Sequence, residues 1–200
     1  MKSWLAALCT VLVLSSAASA GRFPRAEGGG VTDRSDPEAP KYVNSAEITS
    51  FKADFYHDGH YVIIDHVAVL QHADTRPIGD YLFTAERGED GAHITAKFSP
   101  HDDRLPRENY DFTAPLPALD ELHASLIANN LPQINGFSRR NSALGVRFSV
   151  DVRYASGETI RGSGRGGASC APPVDVSFLI ETFRALVDKY APPEQCPPQK

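Results

Sequence analysis

The chain reads as an α+β domain: an antiparallel sheet of about six strands, a meander followed by a late hairpin, with two helices packed on it. Three observations predict this. Apolar and polar residues alternate over several stretches, two other stretches repeat at three and four residues, and Gly-, Asn- and Pro-bearing turns separate them. Strands in runs around separate helical segments favour α+β over a parallel α/β sheet.

The elements follow in order. Lys2, the apolar run LAALCTVLVL and the small residues before Gly21 have the form of a signal peptide over 1–20. A retained N-terminal anchor is the competing reading of the same residues. Residues 21–43, rich in Gly, Pro and charge, have no period and predict a flexible linker. A single domain is expected over 44–191, followed by a tail at 192–200. Its first strand, Ile48 to Tyr56, is expected to form a hairpin with Tyr61 to Leu70 across Asp58-Gly59. That register sets Phe51, Ala53 and Phe55 against His66, Ile64 and Val62, and Lys52 against Asp65.

Tyr81, Phe83 and Ala85 alternate along a third strand, and Ile94, Ala96 and Phe98 along a fourth, with GEDG between them. Residues 100–115, with three prolines and charge clusters, are expected to be a connecting loop. Leu119, Leu122, Leu126 and Ile127 form the apolar stripe of a helix starting near Pro117 and stopping before Pro132. After the Asn135-Gly136 turn, Val146, Phe148, Val150, Val152 and Tyr154 alternate with Arg147, Ser149, Asp151 and Arg153. A three-residue loop at Ala155-Ser156-Gly157 then sets Val152 against Ile160 and Asp151 against Arg161. Val176, Leu179, Ile180, Phe183, Leu186, Val187 and Tyr190 mark the last helix, which Pro192 and Pro193 end.

The stretch 121–164, with ELHASLIANNL, INGF and GVRFSVDVRYASGETIRGSG, resembles uncharacterised exported or lipoprotein-like bacterial domains. In those a W-[DN]-G-F turn follows a helix and precedes an F-S-x-x-V-x-Y-x-[DS]-G hairpin. Here Ile134 stands in the aromatic position of the turn, and GRGGASCAPP replaces a shorter link. The resemblance implies the fold and an exported setting, and carries no activity with it.

Removing the leader leaves Cys170 and Cys196, which in an oxidising compartment are expected to pair, tethering the C-terminal tail. A reactive thiol is the alternative, and nothing nearby marks one. The leader takes one basic residue with it, moving the net charge from −5 to −6. That balance argues against nucleic acid as a partner. The mature chain has no apolar stretch long enough to span a membrane. A secreted or periplasmic location, after cleavage near Ala20, follows.

Candidate sites are few. His57 and His60 flank the first turn, where cross-strand neighbours come close enough to chelate, but a third ligand is lacking. Gly162-x-Gly164-x-x-Gly167 matches a dinucleotide fingerprint in letters only, because no helix opens at its last glycine. Gly167-Ala-Ser169-Cys-Ala171 lacks the final glycine of a nucleophile elbow. No cofactor is expected, and catalysis is the less favoured reading. Alternation places Arg147, Arg153 and Arg161 on one outward hairpin face, with Arg139 and Arg140 in the loop that feeds it. Guanidinium forks suit carboxylate, phosphate or sulfate. The expectation is a non-catalytic binding or interaction module whose partner is an anionic envelope component or another exported protein. A hydrolase with an unrecognised site, or a weak metal binder through His57 and His60, are the alternatives.

Overall fold

Phe51, Ala53 and Phe55 are buried while Lys52 between them is exposed, and this alternation lies on the strand at the centre of the fold. The computed structural model describes residues 30–58, 61–64, 67–70 and 76–195. The strands are β1 (Thr32–Asp33), β2 (Ile48–His57), β3 (Tyr61–Ile64), β4 (Val67–Leu70), β5 (Gly79–Arg87), β6 (Ala92–Pro100), β7 (Glu108–Ala114), β8 (Phe137–Arg140), β9 (Val146–Tyr154) and β10 (Thr159–Gly166). The helices are α1 (Pro117–Ala128) and α2 (Phe178–Tyr190). Eight strands form one sheet in the order β1-β8-β10-β9-β2-β5-β6-β7, and β3 pairs with β4 in a separate two-stranded sheet.

The α+β class is as the sequence predicts, but the sheet is larger and mixed. β8 runs parallel to β10, and the other pairs are antiparallel. The expected hairpin between the 48–56 and 61–70 stretches does not form. β2 has β5 on one edge and β9 on the other, so neither row of its backbone groups is left for a third strand. Lys52 lies opposite Asp151 and Thr84 instead of Asp65. Residues 61–64 and 67–70 pair with each other, with Tyr61 opposite Leu70 and Ile64 opposite Val67. Asp65 and His66 lie outside the described residues.

Two further expectations are corrected. The stretch expected as a loop at 100–115 contains β7, whose Tyr110, Phe112 and Ala114 are buried and whose Asn109, Asp111 and Thr113 are exposed. This half-buried period of two follows directly on a charged, proline-bearing turn. The stretch expected as a linker contributes β1, and residues 30–43 dock along the sheet edge through polar contacts that leave no hydrophobic period. Asp36 donates its N–H to the Gly136 carbonyl at 2.8 Å, and Asn135 Nδ2 donates to the Pro40 carbonyl at 2.9 Å. Gly136 has φ 77°, and a Cβ there would stand 2.4 Å from the Asp36 oxygen. A side chain at 136 would push this N-terminal strap off.

The meander and the late hairpin follow the sequence. Tyr81 faces Phe98, Phe83 faces Ala96 and Ala85 faces Ile94. Val152 faces Ile160 and Asp151 faces Arg161, with Gly157 at φ 87° closing the three-residue loop. Both helices cover one face of the sheet. Phe183 of α2 stacks on Phe83 with ring centroids 4.5 Å apart, and sits 5.4 Å from Phe51. Burial of such a ring contributes on the order of 2–3 kcal/mol. The α1 stripe Leu119, Leu122 and Leu126 is fully buried, and His123 meets Tyr154 edge to face. Ile127, at the edge of that stripe, is exposed. The chain leaves the sheet at β7, on one edge, and α1 carries it across the core to β8 near the other. No helix among the described residues is long and apolar enough to cross a membrane.

Candidate anion-binding face

The face of the sheet opposite the helices is polar, because each strand that buries one side chain turns the next outward. On β9 and β10 the outward set is Arg147, Ser149, Asp151, Arg153 and Thr159, Arg161, Ser163, Arg165. The parallel register of β8 against β10 sets Ser138 beside Ser163 and Arg140 beside Arg165. The antiparallel register of β9 sets Ser149 and Arg147 on the other side of the same two residues. Two cross-strand rows result: Arg140, Arg165 and Arg147 in one, and Ser138, Ser163 and Ser149 in the next. β1 extends both, with Thr32 paired to Arg140 and the Arg34 N–H donated to the Ser138 carbonyl at 2.8 Å.

These residues line a cavity of about 540 Å³. A second, of about 370 Å³, shares Arg34, Ser138, Ser149 and Ser163 and continues to Asp151 and Arg161. The charges within the groove are not equivalent. Arg147 is bound to Asp80 and lies 3.7 Å from Asp54. Asp80 also takes His101 Nε2 at 3.0 Å. Arg161 and Arg153 share the Asp151 carboxylate, each at 3.2 Å. Among the described residues, the side chains of Arg34, Arg140 and Arg165 have no acidic partner, and the hydroxyls of Ser138, Ser149 and Ser163 make no hydrogen bond within the chain. Like charges directly opposite one another in a sheet repel, so the arginine row is a standing electrostatic cost in the free protein.

The five arginines singled out from the sequence therefore separate. Arg140 and Arg147 belong to the row, whereas Arg153 and Arg161 lie on the same face but are held by Asp151. Arg139 is corrected twice. Together with Arg140 it lies on a strand rather than in a loop, and its pairing with Gly164 turns it to the opposite face. There its Nε donates to Asp33 at 2.9 Å and its guanidinium lies over the Phe137 ring. Arg165 carries the same period of two as Arg161 and was legible in the sequence. Nothing in the local sequence pattern marks Arg34.

The other candidates lie elsewhere. His57 ends β2 and is buried, and His60 lies outside the described residues. No group of three or more His, Cys, Asp and Glu side chains among the described residues could hold a metal ion. Gly162 and Gly164 are strand residues facing the core, where a Cβ at 164 would stand 2.0 Å from the Cys170 carbonyl oxygen. Packing, not phosphate, accounts for those glycines. Cys170 is fully buried in a short 3-10 turn over Ala168–Cys170, and Cys196 lies outside the described residues. No protein-family model, curated protein or solved structure matches the chain.

Proposed function

We propose that the chain is a non-catalytic binding module that takes an anionic ligand on the open face of its sheet. The observation that carries this is the row Arg140, Arg165 and Arg147, placed side by side by two strand registers. Guanidinium groups supply paired donors to carboxylate, phosphate or sulfate. A bound anion also relieves the repulsion along the row. The reading includes export through the leader at 1–20 and pairing of Cys170 with Cys196. A bridge closing that loop would contribute about 3.5 kcal/mol on chain-entropy arithmetic.

A thermal-shift titration with phosphate and sulfate, at constant ionic strength, tests the site. Binding raises the midpoint, by about 2.7 kcal/mol of stabilisation at a hundredfold excess over Kd. The double variant Arg140→Glu, Arg165→Glu abolishes the shift, since both residues are exposed and their reversal spares the core. An equal shift in the variant, or none in the parent, overturns the proposal.

A further inference from the structure

The groove is longer than one anion needs, and its charge is arranged along its length. Arg165 and Arg161 lie four residues apart on β10, about 13 Å at the strand rise. Asp151 holds Arg161 at 3.2 Å, so an anion seated on Arg140 and Arg165 leaves Arg161 to that carboxylate. Between them lie the serine row and Arg34, and the two cavities share those residues. Among the described residues, cationic charge without an acidic partner lies at Arg140 and Arg165 at one end and at Arg34 beside Ser138. Carboxylates stand along the rest, Asp54 opposite Ser149 and Asp151 beside Arg161.

That pattern discriminates among anions. An extended polyanion, charged at every unit, would bring like charge against Asp54 and Asp151. A nucleotide would bring a base, and no aromatic ring among the described lining residues is turned outward to stack on it. The rings lining the two cavities, Phe148 and Phe137, belong to the core-facing set of their strands. A body bearing many hydroxyls meets the opposite situation. Its hydroxyls donate to the carboxylates and exchange hydrogen bonds with Ser138, Ser163 and Ser149, which both donate and accept.

We infer that the ligand is an acidic saccharide, with one carboxylate, sulfate or phosphate head on the Arg140, Arg165 and Arg147 row and its hydroxylated body along the Ser138, Ser163 and Ser149 row towards Asp151. The inference rests on the anion-binding reading and names the ligand class of that same site.

Isothermal titration of the folded protein separates the two. The probes are a trisaccharide with one terminal uronate, the same trisaccharide with a terminal phosphate, the neutral trisaccharide, free uronate, inorganic phosphate and a short polyphosphate. Both acidic trisaccharides are expected to bind at least tenfold more tightly than free uronate or phosphate, and the neutral one not measurably. The double variant Ser149→Ala, Ser163→Ala lowers trisaccharide affinity about tenfold, the loss of one or two neutral hydrogen bonds. It leaves phosphate affinity within about twofold, which also shows that the variant is folded. Phosphate or polyphosphate binding as tightly as the acidic trisaccharides, or serine variants that weaken all anions alike, would overturn the saccharide assignment and leave the anion site standing. Failure of every anion to bind, or binding that survives Arg140→Glu with Arg165→Glu, would remove the anion site and the saccharide with it.

Discussion

The Gln195 carboxamide hydrogen-bonds both backbone groups of Asp111: its Oε1 accepts from the Asp111 N–H at 3.1 Å, and its Nε2 donates to the Asp111 carbonyl at 2.9 Å. Asp111 lies on β7, the outer strand at one end of the eight-stranded sheet. The side chain thus occupies edge groups that would otherwise template another strand.

Gln195→Ala should free that edge. The expected loss is about 1 kcal/mol of stability, with faster hydrogen exchange at the Asp111 amide. Sedimentation velocity should detect self-association rising with concentration. A monomeric variant with unchanged exchange would place the edge protection elsewhere.

The arginine row makes an opposite kind of prediction, since removing a residue from it should stabilise the free protein. Arg165 lies between Arg140 and Arg147 and has no acidic partner among the described residues. Arg165→Thr removes the central charge and places a β-branched residue on an exposed strand position. We expect a gain of about 0.5 kcal/mol in denaturant unfolding at low salt, shrinking as salt is added. Phosphate affinity should fall in the same variant. Destabilisation by that change would mean the row is not under repulsion.

Gly164→Ala tests the packing account of the glycine-rich strand. The added Cβ would stand 2.0 Å from the Cys170 carbonyl oxygen and 2.4 Å from the Phe148 ring. Backbone and a core ring cannot both yield, so a loss of about 3 kcal/mol is expected from overpacking. The denaturation midpoint reports it. A near-neutral result would show that the Ala168–Cys170 turn is free to move away.

Glu158 provides a pH-dependent clamp. Its carboxylate accepts from the Asn44 and Ser45 N–H groups and from Ser156 Oγ, holding the entry to β2 against the β9–β10 turn. The backbone hydrogen bond from Asn44, then those from Ser156 and Ser45, lower its pKa from 4.5 to about 2. The unfolded chain therefore binds the proton more readily. The clamp is fully present above about pH 4.5 and is lost as pH falls through about 2. Glu158→Gln should be less stable than the parent at pH 7, and the two should converge between these values in acid. Parallel curves across that range would rule the clamp out.

What the sequence determined by itself is the facing of the elements with a clear period. Alternation in Val146 to Tyr154 and the 3.6-residue stripe from Val176 to Tyr190 are local consequences of backbone geometry, so the buried and exposed sets are legible from one stretch at a time. The Gly157 loop likewise sets its own hairpin register, which is why Asp151 opposite Arg161 was readable. Tertiary structure alone decided which strands are neighbours. β2 takes β5 and β9 rather than the stretch that follows it. β8 reaches β10 in parallel across an intervening strand, and β1 closes the edge through polar contacts with no period. Strand pairing is bought with long-range burial and backbone hydrogen bonds, neither of which marks the local sequence. The arginine and serine rows exist because of those pairings. Each strand contributes one or two unremarkable polar residues, and only their adjacency makes a site.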